Sequence, residues 1–112
     1  MLPKSLMAAS VTPVMLSILA HGESYGYQII QRIHKLSDGK VRWTAGTLYP
    51  VLHRLETKGL IASTWRPAPG GRQRKYYQLT PEGTQALEIE KRQWLDVHAL
   101  LTTLWGPELS FT

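Results

Sequence analysis

The chain contains no cysteine, which excludes disulfide scaffolds, thiolate zinc sites and cysteine nucleophiles and fits a reducing, cytoplasmic setting. Long hydrophobic runs are missing as well, and none approaches the roughly 20 residues of a membrane span. The stretch from Ser5 to Ala20 follows a lone Lys4 as a secretory leader would, but Thr12 and Pro13 interrupt it as an N-cap and first-turn pair, so no leader is expected. The 4 histidines, His21, His34, His53 and His98, are scattered without metal-ligand spacing. Paired carboxylates, a nucleophile motif and a phosphate-cradling loop are all absent, so neither an enzyme nor a cofactor or metal is expected.

Acidic residues are scarce in one segment. Between Lys40 and Gln78 the basic residues Lys40, Arg42, Arg54, Lys58, Arg66, Arg72, Arg74 and Lys75 face only Glu56, while the flanks are acidic on balance. The net charge of +5 therefore describes a local positive field, which favours a polyanionic partner and would also suit a ribosomal or membrane-surface protein. With 112 residues, 43% of them hydrophobic, the chain has room for one domain with a real core.

Apolar spacing gives the order of elements. Val14, Met15, Ile18 and Leu19 after Thr12 predict a first helix stopped by Gly22. A second helix is predicted over Ser24–Leu36, with Ile29, Ile30, Ile33 and Leu36 on its apolar face and Ser37, Asp38 and Gly39 as the turn beyond. Lys40–Trp43 alternates as a brief edge strand would. Thr44 caps a third helix with Leu48, Val51, Leu52 and Leu55 as its stripe and Gly59 as its end; Pro50 is its awkward residue, costing about 3 kcal/mol in a helix interior. Leu60–Arg66 and Arg74–Leu79 read as strands around a tip of Pro67, Ala68, Pro69, Gly70 and Gly71. Thr80, Pro81 and Glu82 open a last helix running to about Trp105, stopped by Gly106 and Pro107. The expected class is α+β, mainly α: a winged helix-turn-helix over residues 1–79 with residues 1–10 as a flexible arm, a C-terminal dimerisation helix over 80–106 in the same compact unit, and a tail over 107–112.

If the stripe of the third helix faces the core, Gly46, Thr47, Pro50, His53, Arg54, Thr57 and Lys58 point outward. That face is small at its start and basic at its end, which suits a helix entering the major groove by its N-terminal residues while later cations bind phosphates. An ordinary solvated face is the alternative. The hairpin favours DNA, because Arg72, Gln73, Arg74 and Lys75 beside Gly70-Gly71 form a single-sign cluster that repels itself unless an anion neutralises it.

These residues also form an ordered series: Tyr25-Gly26-Tyr27-Gln28-Ile29-Ile30; Gly46-Thr47-Leu48-Tyr49-Pro50 with Leu52, Arg54-Leu55-Glu56 and Gly59-Leu60-Ile61; Gly70 to Tyr77 with Leu79-Thr80 and Gly83. From about Val14 to Leu87 the series closely resembles the PadR family of transcriptional regulators, in the branch with a short C-terminal region. The resemblance implies a winged-helix homodimer that represses nearby genes from a palindromic operator and is released by a small molecule or cellular signal. It adds Tyr25, Tyr27, Thr44 and Tyr49 to the DNA-contacting set, and makes Pro50 a normal occupant of its helix. Ser24-Tyr25 departs from the His-Gly more usual at that place.

On the last helix Leu87, Trp94 and Leu101 recur every seven residues, with Val97 and Leu104 as a companion row that Glu90 breaks early. Such a seam predicts self-association, with Val11 and Met15 of the first helix contributing; the alternative is a stripe packed on helix one of the same chain. In short-tailed relatives a mid-helix tryptophan lines a cavity at the dimer interface. The resemblance thus places Trp94, with Val97 and His98, at a site for flat aromatic ligands, against the alternative that Trp94 is core. The rival to a repressor is a ligand-binding or protein-interaction module without specific DNA binding, which should have lost the hairpin cations.

Overall fold

The computed structural model describes residues 3–106; the expected tail over 107–112, Pro107 included, and the first two residues of the expected arm lie outside them. Seven elements follow in order: α1 (Lys4–Ala20), β1 (Ser24–Tyr25), α2 (Gly26–Leu36), α3 (Ala45–Thr57), β2 (Ile61–Pro67), β3 (Gln73–Leu79) and α4 (Pro81–Trp105). The three strands form one antiparallel sheet in the order β1-β3-β2.

The two best-marked helices start where their caps lie. Thr47 N–H donates to the Thr44 hydroxyl at 3.3 Å to open α3, and Gly83 N–H donates to Thr80 Oγ1 at 3.0 Å to open α4. Leu48, Val51, Leu52 and Leu55 are all buried, so the 3.6-residue stripe of α3 does face the core. It meets Met15, Leu16 and Leu19 of α1, Ile29 and Ile33 of α2, and Ile61, Tyr77 and Leu87 from the sheet and α4. Pro50 sits inside α3 on the solvent side. Its missing N–H leaves the Gly46 carbonyl to water rather than stranded in the core, which is why the helix tolerates it.

The N-terminal segment departs from expectation. Thr12 caps nothing and Pro13 lies inside α1, which starts at Lys4 with Met7 N–H bonded to the Pro3 carbonyl at 3.0 Å. The stretch expected as a flexible arm is therefore helical from residue 4, and Met7 packs against the core beside buried Val11. Burying those side chains offsets the roughly 3 kcal/mol cost of an interior proline. Among the described residues no helix is long and apolar enough to cross a membrane.

Three further expectations change. Ser24 and Tyr25, expected within the second helix, pair with Tyr77 and Tyr76 as β1; Ser24 is buried and accepts a hydrogen bond from Arg32 Nη1 at 3.1 Å. Residues 40–43 form no strand: Trp43 turns into the core and Val41 N–H donates to the Ser37 hydroxyl at 2.9 Å. Leu36, expected on the apolar face of α2, is 72% exposed because the helix ends there.

Candidate nucleic-acid interface

With the stripe of α3 inward, Gly46, Thr47, Pro50, His53, Arg54, Thr57 and Lys58 are all exposed, and Thr44 lies exposed at the helix start. Tyr49 is half in: a Cβ on Gly26 would lie 2.6 Å from its Cζ, so the absent side chain at Gly26 is what lets the ring rest on the start of α2. Tyr27, in the first turn of α2, is 63% exposed.

Strand alternation divides the hairpin into two faces. One carries Ala62, Thr64 and Arg66 opposite Gln78, Tyr76 and Arg74; the other carries Ile61, Ser63 and Trp65 opposite Leu79, Tyr77 and Lys75. At the tip, Gly70 and Gly71 have φ of +90° and +81°, which a side chain would strain. Ala68 N–H reaches the Arg72 carbonyl at 2.7 Å to close the turn.

The expected cations fare differently. Arg72 and Gln73 stand exposed at the tip. Arg74 lies over the Tyr25 ring at 4.0 Å, and Tyr25 meets Tyr76 edge to face at 5.4 Å, so Tyr25 is half-buried and its ring face already occupied. Lys75 points to the other face, 3.7 Å from Glu56 and 5.5 Å from the Tyr77 ring centre. Ser63 also donates to Glu56, so this carboxylate of α3 ties down both strands of the hairpin. Arg66 is held in two hydrogen bonds by Glu23. The bond to that carboxylate raises the guanidinium pKa against the opposing effect of desolvation, and its charge is neutralised locally. Burial, then the negative charge of Glu56, pushes the Tyr77 phenol above its ordinary value.

Sequence reasoning missed the fixing of the hairpin to α3 and to the turn before β1. The partners Glu23 and Arg66 lie 43 positions apart, and no local pattern joins them. It counted Lys40 and Arg42 in the positive field but did not join them with Lys4 into one group, which borders α3 beside Thr47 and Arg54; their clustering needs α1 to reach back to Lys4.

The expected association surface splits in two. Val11, Met15 and Leu87 belong to the core of the same chain, because α1 packs against the first turns of α4. There the stripe packs on helix one, and these three side chains are buried within the chain itself. Beyond Leu95, the last residue of α4 to line a groove with α1, the helix runs on alone. Trp94, Leu95, Val97, Leu100, Leu104 and Trp105 are exposed, Leu100 at 60% and Trp105 at 72%, and Leu101 is half-exposed. Trp94 Nε1 donates to Glu90 at 3.2 Å, and the indole borders an apolar groove of about 830 Å³ between α1, the end of α2 and α4. Val97 and His98, expected beside it, do not line that groove: they lie further along α4, past the reach of α1. Among the described residues no group of three or more His, Asp or Glu is placed to hold a metal ion.

Comparison with known proteins agrees with this geometry. The family model described as "Transcriptional regulator PadR-like family" matches residues 15–89. The chain is 43% identical over 82 residues to the transcriptional regulator Rv3488 of Mycobacterium tuberculosis, covering 70% of this chain and 73% of that protein. It is 38% identical over 80 residues to the transcriptional regulator YqjI of Escherichia coli, covering 71% of this chain but 37% of that longer relative. The crystal structure of the PadR-like transcriptional regulator BC4206 from Bacillus cereus superposes with a TM-score of 0.81 at 28% identity, covering 94% of this chain and 100% of that one.

Proposed function

The chain belongs to the PadR-like family of transcriptional regulators, a family of regulators rather than enzymes, and from that premise we propose that it is a dimeric, sequence-specific repressor released by a small aromatic ligand. In this reading α3 enters the major groove by Gly46, Thr47 and Pro50, where small side chains let the backbone come close to base edges. Arg54 and Lys58 bind phosphates further along, and Arg72 at the hairpin tip follows the backbone. The observation that carries the reading is the continuous outward face of α3, exposed along its whole length while its stripe is buried.

Two copies joined through the distal half of α4 would present two such helices to half-sites about 34 Å apart. The exposed row from Trp94 to Trp105 supports this, since a solvated helix face rarely carries so many large apolar side chains. A planar ligand against Trp94, in the groove shared with α1, would change the angle between the copies and so the spacing of their recognition helices.

The test is fluorescence anisotropy with a duplex from the region upstream of its own gene and a scrambled duplex as control, at fixed salt. At least about a thousandfold preference for the native sequence is expected, the lower end of the usual range of specific over non-specific binding. Equal affinity for both would leave the interaction-module reading standing.

A further inference from the structure

A second cleft, of about 500 Å³, lies between the N-terminal half of α1, residues 40–43 and the side of α3 that carries Thr47, Val51 and Arg54. It shares Met7, Val41 and Trp43 with the groove beside Trp94 but not Trp94 itself, and no hairpin residue lines it. Its chemistry is divided. Lys4, Lys40, Arg42 and Arg54 supply cations, while Met7, Val11, Val41 and Val51 make an aliphatic floor. Among the described residues the ion pairs join Arg66 to Glu23, Lys75 to Glu56 and Lys91 to Glu88, so none of these four cations has a carboxylate partner. The first turn of α1, where Lys4 sits, has neither a capping side chain nor an acid.

Cations gathered around an apolar hollow are costly when empty, because like charges repel and the floor stays wetted. A nucleic-acid backbone would neutralise the cations but leave the floor in water. A molecule with an anionic head and an apolar body satisfies both, and pockets of this size accept small ligands. We propose that the cleft binds a medium-chain acyl carboxylate, and that this ligand and DNA exclude one another because Thr47 and Arg54 belong to both surfaces. The exclusion rests on the DNA-binding reading above; the site itself does not.

Isothermal titration calorimetry of the full chain with decanoate, below micelle-forming concentration and without DNA, tests the site. Saturable binding at one per chain is expected, weakening by up to roughly fourfold for each methylene removed, with decanol at least about tenfold weaker for lack of a charge. The double variant Lys40→Gln/Arg42→Gln should lose at least about tenfold in decanoate affinity. Ala8→Leu, which fills the cleft from an exposed helical position, should abolish binding while its circular dichroism matches wild type. Unchanged affinity in both variants, or loss only in Trp94→Phe, overturns the site. Anisotropy with labelled duplex then tests exclusion: decanoate should raise the apparent Kd of the wild type for DNA and have no such effect on Ala8→Leu. Decanoate heat with no change in DNA affinity overturns the exclusion, and decanoate heat from a chain that ignores every duplex faults the DNA-binding reading alone.

Discussion

Gly46 and Gly83 stand in the first turns of α3 and α4, and the structure assigns them opposite reasons for lacking a side chain. At Gly83 an added Cβ would lie 2.8 Å from Leu79 Cδ1, 3.0 Å from the Leu60 carbonyl carbon, and inside the contact radius of the carbonyl oxygen. The obstruction is backbone, so the start of α4 must move. That carbonyl accepts Thr80 N–H at 3.1 Å, and a retreat of about 1 Å would stretch the bond past its useful range. Overpacking of this kind costs about 1–3 kcal/mol and the lost bond about 1, against a gain of up to about 1 from replacing helical glycine. Gly83→Ala should therefore lose about 1–3 kcal/mol, or roughly 5–15 °C in Tm for a chain of this size. At Gly46 the nearest atom to an added Cβ is Thr44 Oγ1 at 3.7 Å, an ordinary contact. Gly46→Ala should melt no lower than wild type, and up to about 1 kcal/mol of helix propensity would raise it slightly. Its cost appears only on DNA, where a methyl held between α3 and the base edges should weaken operator binding about tenfold, equivalent to about 1.4 kcal/mol. Thermal melts by circular dichroism and anisotropy at one salt concentration measure both variants. A Gly83→Ala protein melting like wild type refutes the packing argument, and a Gly46→Ala protein binding operator like wild type refutes the entry of α3 by its first turn.

Arg72→Gln should lower the slope of log affinity against log salt by about 0.9, one phosphate contact, whereas Lys75→Gln should change it much less because Glu56 already holds that ammonium; equal slopes would refute the division of the hairpin cations. Under the proposed dimer, wild type should sediment as two chains and Leu100→Glu, on the unpartnered part of α4, as one, with the melting curve of the core kept; a stable dimer of the variant would move the interface elsewhere. Tyr77 titrates higher in the folded chain than in the unfolded one, so its contribution is complete below about pH 10 and is lost as pH rises through the raised value. Urea midpoints at about pH 8 and about pH 11 should differ less for Tyr77→Phe than for wild type, and an identical difference would assign the alkaline loss to other groups.

What was legible in the sequence was whatever a local pattern fixes. Thr44 and Thr80 each cap the helix they precede, and the stripe from Leu48 to Leu55 both defines α3 and, by subtraction, names its exposed face. What stayed hidden depends on contacts distant in the chain. Pro13 reads locally as a helix start, yet α1 passes through it because Met7 and Val11 are buried by other elements. Ser24 and Tyr25 continue a helical pattern, yet pairing with Tyr77 and Tyr76 makes them a strand.

The basic segment shows what this difference means for function. Counted along the chain, its cations look interchangeable, but folding withdraws Arg66 to Glu23 and Lys75 to Glu56, and lays Arg74 on Tyr25. The withdrawn groups hold the hairpin to α3 and to the turn before β1, and so set its angle. Among the described residues Arg54, Lys58 and Arg72, with Lys40 and Arg42 on the other flank, have neither a carboxylate nor an aromatic ring holding them, and in the proposed function they are the cations that meet a polyanion. A hairpin whose angle is fixed by ion pairs half open to solvent should lose part of its preorganisation as salt rises. Salt would then weaken DNA binding twice, by screening the free cations and by loosening the frame that aims Arg72. A variant with Glu23→Gln, which frees Arg66 and raises the net positive charge, should therefore bind operator no tighter than wild type despite the added cation; tighter binding would mean that charge alone, and not the held angle of the hairpin, governs affinity.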